Sequence, residues 1–187
     1  MSGAFWASYI ALWVAVIVLS VAVFALYHHF GQLYLNSPDG RVNQGPEAGK
    51  ALEPFVATTD TGRLNVPDGT ATVLAFMEVG CLLCSDLRHH LRTYAMENRD
   101  VRVIAVVGGK PDEIDEFAAP MREHVAVVSD VGGKITSGYG VAVFPFAVAI
   151  DPGGVVRAKD IVNKRDSVER LGLAAVGSRD HREEGSQ

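Results

Sequence analysis

Residues 71–98 read ATVLAFMEVGCLLCSDLRHHLRTYAMEN. The run Ala71 to Met77 is short, apolar and contains β-branched residues, as a buried strand requires. From Leu82 to Asn98, Leu83, Leu87, Leu91, Tyr94 and Ala95 recur at spacings near three and four, the period of an amphipathic helix. The chain's two cysteines, Cys81 and Cys84, stand where the strand signal turns into the helix signal. Residues i and i+3 are neighbours on a helix, so the two sulfurs can meet as a disulfide. Cys81 falls at the helix amino terminus, where unpaired N–H groups and the positive dipole end favour a thiolate. A lowered pKa makes Cys81 the candidate nucleophile, and Cys84, a turn further in, the candidate resolving cysteine. Two other readings stay open. The pair can supply two ligands to zinc or Cu(I), with His89 and His90 the nearest further donors, one to two turns below Cys84. It can also be an inert buried pair. The position at a strand-to-helix turn favours redox chemistry.

Outward from this motif the pattern keeps alternating. Val101 to Val107 reads as a second buried strand, stopped by Gly108-Gly109. Pro111 with Asp112, Glu113, Asp115 and Glu116 opens a helix, because proline and negative charge suit a first turn. Val125 to Val128 is a third short strand and Val131 to Ser137 a short helix. Phe146 to Ile150, the turn Asp151-Pro152-Gly153-Gly154 and Val155 to Ala158 form a hairpin. Asp166 opens a last helix to about Val176. Strand, helical crossover and strand imply a parallel sheet with helices on both faces, to which the hairpin adds antiparallel strands.

Pro145 stands directly before a strand, in Phe144-Pro145-Phe146-Ala147-Val148-Ala149-Ile150. Together with the upstream C-x-x-C motif, this arrangement resembles the thioredoxin fold. The resemblance implies that Pro145 is a cis-proline beside the active-site helix. It also implies that the adjacent backbone pairs with a substrate chain, so that Gly80, Phe144 and Phe146 contribute to a substrate groove. The stretch from Val128 to Val156 looks like the membrane-tethered TlpA/ResA and AhpC/TSA-like redoxin branch. Gly45-Pro46-Glu47-Ala48-Gly49 and Pro54-Phe55, after an apolar segment, look similar to the MauD-type accessory proteins of methylamine utilisation. That family is implied to act outside the cytoplasmic membrane, helping a partner acquire correct disulfides.

Some positions depart from the thioredoxin pattern. Gly80 replaces the usual aromatic residue before the first cysteine, Leu82-Leu83 lack the usual proline, and Ala75 stands where a buried acidic residue is usual. Proton transfer then falls to Glu78 or to water. Glu78 also disfavours a peroxiredoxin, which needs Ser or Thr there. A copper chaperone of the Sco kind spaces its cysteines one residue wider and uses a distant histidine, for which His124 is the remaining candidate. A Cu(I) metallochaperone using Cys81 and Cys84 is the alternative to the oxidoreductase reading. No cofactor beyond the Cys81–Cys84 disulfide and no resident metal is expected.

Upstream, no Asp, Glu, Lys or Arg precedes Asp39. Phe5 to Tyr27 is mostly apolar and, at ~1.5 Å per residue, long enough for the ~30 Å hydrocarbon core of a bilayer. Trp6, Tyr9, Tyr27 and Tyr34 suit interfacial anchoring. A cleaved signal would carry a positive start and a shorter apolar core. Strictly counted, basic residues slightly favour the carboxyl side facing the cytoplasm, but the bias is weak and leaves the orientation open. The expected organisation is an anchor over residues 1–35, a linker over 36–51, a thioredoxin-like α/β domain with a mixed sheet over 52–176, and a polar tail over 177–187. The whole chain has 187 residues, 48% of them hydrophobic and 21% charged, which excludes general disorder. A net charge of -5 argues against nucleic acid as a partner. The expected partners are protein thiols or disulfides, and the lipid bilayer through residues 5–27. The expected location is the cell membrane, single-pass, with the domain extracytoplasmic, where disulfides persist.

Overall fold

The computed structural model describes residue 6, residues 9–21, residue 23, residues 44–59 and residues 62–177. The chain divides into two compact units, Met1–Asn43 and Gln44–Gln187. In the first, residues 9–21 are helical, with Trp13, Ile17 and Leu19 exposed. Among the described residues no helix is long and apolar enough to cross a membrane. The span expected over 5–27 lies partly outside the described residues.

The second unit contains strands β1 (Phe55–Thr59), β2 (Gly62–Val66) and β3 (Thr72–Glu78), helix α1 (Leu82–Glu97), and β4 (Arg102–Gly108). Helix α2 (Pro111–Ala118), β5 (Ala126–Asp130), α3 (Lys134–Gly138), β6 (Phe146–Ile150), β7 (Val156–Ile161) and α4 (Arg165–Val176) complete it. A five-stranded sheet has the order β5-β4-β3-β6-β7, with β3, β4 and β5 parallel and β6 and β7 each antiparallel to its predecessor. β1 and β2 form a separate antiparallel pair. This hairpin is absent from the sequence reading above.

Strand alternation divides the core into two. Val73, Ala75 and Met77 of β3, with Val103, Ala105 and Val107 of β4, face Leu87, Leu91 and Tyr94 of α1, Ile114 and Phe117 of α2, and Val168 and Leu171 of α4. Leu74, Phe76, Ile104, Val106, Phe146, Val148 and Ile150 face the other way, onto Leu52, Ala57, Val66 and Val141. Helices stand on both faces, as expected, but unequally. The three longer helices share one face, and the other is covered by the β1–β2 hairpin, the lead-in to it and the short α3.

Residues 44–51, read above as the end of a linker, are bound to the domain. Gln44 is buried, the Gly49 N–H donates to the Val156 carbonyl at 2.7 Å, and Ala51 bridges to Val155. The lead-in is also tied by the Tyr139 hydroxyl, which donates to the Glu53 carbonyl oxygen. Burial, and after it the Glu53 carboxylate, push the Tyr139 phenol up to about 12.

The β6–β7 turn is held by Asp151. Its carboxylate accepts from the Val155 N–H at 2.9 Å and from Arg157 Nε at 2.7 Å. Burial opposes the charged form, but the Val155 N–H and the Arg157 guanidinium outweigh it and hold the carboxyl below 3.8. A depressed folded-state pKa stabilises the fold above the unfolded value, and that contribution is lost as pH falls through the folded value. Asp151→Asn is expected to cost ~2 kcal/mol in urea unfolding at neutral pH. The deficit should shrink below pH 3.8, as the wild-type carboxylate protonates.

Candidate active site

β3 is fully buried until Glu78, where the chain leaves the carboxyl end of the parallel strands. The turn that follows is closed by the Cys81 N–H, which donates to the Glu78 carbonyl at 3.3 Å. Gly80 carries it with φ 84, a left-handed conformation that side chains disfavour. That backbone demand accounts for glycine where the resemblance leads one to expect an aromatic residue.

Cys81 is the N-cap of α1, with extended backbone, and its sulfur accepts the Cys84 N–H at 3.3 Å. Its carbonyl accepts the first helical bonds, from Cys84 and Ser85. Cys81 and Cys84 form a disulfide across a Cα–Cα distance of 5.2 Å. The two sulfurs differ in access. Cys84 is 0% exposed, inside the core that contains Ala75 and Leu87, whereas Cys81 is only partly covered and packs against the edge of that core. Leu82 and Leu83 are 86% and 45% exposed and form an apolar rim around the disulfide. Ala75 beneath the pair is fully buried, so the position of the usual acidic residue offers no proton acceptor.

The antiparallel pairing of β6 with β3 brings the proline loop to the same end of the sheet. Phe76 pairs with Phe146, and continuing that register sets Phe144 beside Glu78. The Phe144–Pro145 bond is cis, and Pro145 is buried, its carbonyl accepting the Val162 N–H at 3.0 Å. Phe144 is half-buried and, with Glu78, lines a cleft of about 460 Å³ that extends over Gly109, Asp130 and Ala142. Asp130 is buried there, its two oxygens accepting the Ile135 and Thr136 N–H groups at 3.0 and 2.9 Å, while Glu78 is exposed on the rim. Phe146, expected in the groove, reaches no solvent. It is 0% exposed, its ring packed with Phe76 in the opposite core.

The sequence reading missed Asp130, at the end of β5, and Ala142 and Gln44, which lie outside any strand or helix; none stands in a local motif. A larger cleft, about 780 Å³, lies at the other end of the sheet between β2 and the starts of β4 and β5. Neither cleft is lined by a cysteine, but only the smaller one includes Phe144 and Glu78; in the larger, Arg102 pairs with Asp68. Among the described residues no group of three or more His, Cys, Asp or Glu side chains could hold a metal ion. His124, the remaining copper candidate, lines that distant cleft.

An accessible sulfur at a helix amino terminus, joined to a shielded partner three residues on, is arranged for exchange with an outside thiol. The fold and this pair define a thiol–disulfide oxidoreductase of the thioredoxin class. Solved structures agree on the fold. A protein assigned as the thiol:disulfide interchange protein DsbE of Chlorobium tepidum superposes with a TM-score of 0.63 at 23% identity, covering 69% of this chain and 97% of that one. A secreted Mycobacterium tuberculosis disulfide oxidoreductase homologous to Escherichia coli DsbE gives 0.57 at 20% identity, covering 64% and 95%. No family model matches the chain. The methylamine utilization protein MauD of Methylorubrum extorquens is 30% identical over 173 residues, 88% of this chain and 83% of that protein. MauD of Methylobacillus flagellatus is 31% identical over 183 residues, 91% and 86%. The chain belongs to the MauD family.

Proposed function

We propose that the chain is a membrane-tethered thiol–disulfide oxidoreductase that acts outside the cytoplasm on the disulfides of a protein partner. The observation that carries this reading is the unequal exposure of the two joined sulfurs. Attack by an outside thiolate is open at Cys81 and blocked at Cys84. In the oxidised state, a partner thiolate bonds to the Cys81 sulfur while the Cys81–Cys84 bond breaks and Cys84 leaves as the thiolate. A second partner thiolate then attacks the mixed disulfide. The partner gains a disulfide, its two thiol protons are released, and the Cys81–Cys84 pair takes up two electrons and two protons as a dithiol. The reverse sequence, with Cys81 attacking and Cys84 resolving, reduces or rearranges a partner disulfide.

Pro145 and Phe144 form the wall along which the partner segment lies, and Gly80 keeps the turn free of a side chain. Glu78 is the carboxylate available on this rim for proton transfer, since Asp130 is engaged by main-chain N–H groups. The exposed Leu82 and Leu83 suit a partner whose reactive cysteine sits in an apolar surrounding. Kinship with MauD proteins suggests a partner involved in methylamine utilization. The uncharged apolar stretch over residues 5–27, of which 9–21 are helical, supports the bilayer as tether.

In membranes of a cell that uses methylamine, a Cys84→Ser variant is expected to accumulate a mixed disulfide through Cys81, seen as a thiol-sensitive shift on a non-reducing gel. Failure to retain any protein, with wild-type exchange activity intact in vitro, would remove the partner from the proposal. Recovery of the chain in the soluble fraction would remove the tether.

A further inference from the structure

Gln44 lies where the chain enters the domain, and it is only 6% exposed. Its side-chain Oε1 accepts the N–H of Val143 at 3.0 Å and faces that of Ala142 at 3.4 Å. Its carbonyl accepts Lys159 Nζ at 2.9 Å. The next residue continues the seam, as the Gly45 N–H donates to the Gly140 carbonyl at 3.1 Å. Gly45 has φ 70, and a Cβ there would stand 2.4 Å from Phe146 Cε1, so no other residue fits without displacing that ring. Residues 44 and 45 therefore lie along the loop 140–143 and over the first residue of β6.

The held loop leads to Phe144, which packs against the same core as Cys81. Val143 precedes Phe144, which lines the cleft beside Glu78. Ala142 and Val143 belong to no strand or helix, so no ladder partner takes up their N–H groups. One amide oxygen serves both. The main-chain N–H and carbonyl of Phe144 are taken up by no other main-chain group among the described residues. A loop fixed before a partner arrives binds better than one that must be ordered on binding.

We infer that Gln44 is a positioning residue for partner recognition, which holds Ala142 and Val143 so that the main chain of Phe144 is presented to the partner's cysteine-bearing segment. This rests on the proposal that the partner lies along residues 143–145. A merely structural role predicts something different. The Nε2 of Gln44 is buried without a hydrogen-bond partner in the structure, so the amide is only half satisfied. Glutamate would keep the acceptor oxygens and remove the unmatched donor.

The test compares the full-length wild type, Gln44→Ala and Gln44→Glu as oxidants of two reductants, a peptide carrying two cysteines and dithiothreitol. Each reaction converts two thiols to a disulfide and the Cys81–Cys84 pair to the dithiol. Dithiothreitol has no peptide backbone to pair with Phe144. Gln44→Ala is expected to lower kcat/KM for the peptide about tenfold, mainly through KM. Its rate with dithiothreitol and its reduction potential should be unchanged, and Gln44→Glu should stay within about twofold of wild type on both. An unchanged peptide rate in Gln44→Ala, an equal loss on both reductants, or no rescue by glutamate would overturn the inference. If Gln44→Ala does not fold, Gln44→Asn, which withdraws the oxygen by one methylene, must show the same split between reductants. A wild type inert toward both reductants would instead sink the oxidoreductase reading on which this rests.

Discussion

Replacing Cys81 by serine is expected to stop disulfide exchange, lowering the rate with a protein or small-thiol substrate by on the order of 10³-fold or more. The size of the effect follows from the absence of a second route. Cys84 is the only other cysteine in the chain and is 0% exposed beneath the first turn of α1. Left alone it cannot be reached by a partner disulfide without opening the helix from its amino terminus. Cys84→Ser should behave differently. The accessible sulfur remains at the N-cap, so capture proceeds, but release of the partner loses its internal thiolate and multiple turnover falls to a similar floor. Single-turnover and steady-state rates separate the two variants. Reduced wild-type protein should also be alkylated by iodoacetamide at Cys81 well before Cys84, which mass spectrometry reads directly. Equal modification of both residues, or turnover surviving in Cys81→Ser, would contradict the asymmetry on which the proposed chemistry stands.

The second large effect concerns stability. Phe146→Ala is expected to cost ~3–5 kcal/mol in urea unfolding, because a fully buried aromatic side chain leaves a cavity that its neighbours cannot fill. Phe146 is 0% exposed at the start of β6, its ring 6.4 Å from that of Phe76. The same ring lies against the backbone of Gly45. Its removal therefore weakens the second core and the seam that ties the chain's entry segment to the sheet. A double-mutant cycle with Gly45→Ala checks the contact. The clash with the ring disappears in the Phe146→Ala background, so alanine at 45 should cost less there than in wild type, with only the cost of its positive φ remaining. Additive effects would show that the ring does not set the glycine requirement.

Most of the fold was legible because its signals are local. The buried runs of β3, β4 and β6 are apolar over five to seven residues, and α1 carries leucines at helical spacing. Pro111 marks the start of α2 as expected. The β1–β2 hairpin was not legible, because Phe55–Thr59 and Gly62–Val66 mix exposed and buried positions and bury little by themselves. Nor was the distribution of helices over the two faces, since the apolar stripe of a helix says that it packs but not on which side. Phe146 was expected in the groove from its place next to Pro145. Side chains alternate along a strand, and the pairing of β6 with β3 turns it into the core.

The sequence by itself determined the strand, the turn, the helix and the two cysteines at their junction. A spacing of three residues at a helix start brings the sulfurs together whatever surrounds them, and the first residue of a helix meets unpaired N–H groups in any protein. Only the tertiary structure decided what stands next to those sulfurs. Phe144 arrives beside Glu78 through antiparallel pairing of β6 with β3, and Gln44 grips Val143 across 99 positions of chain. Contacts of that length depend on how the whole sheet closes, and no short stretch of residues encodes them.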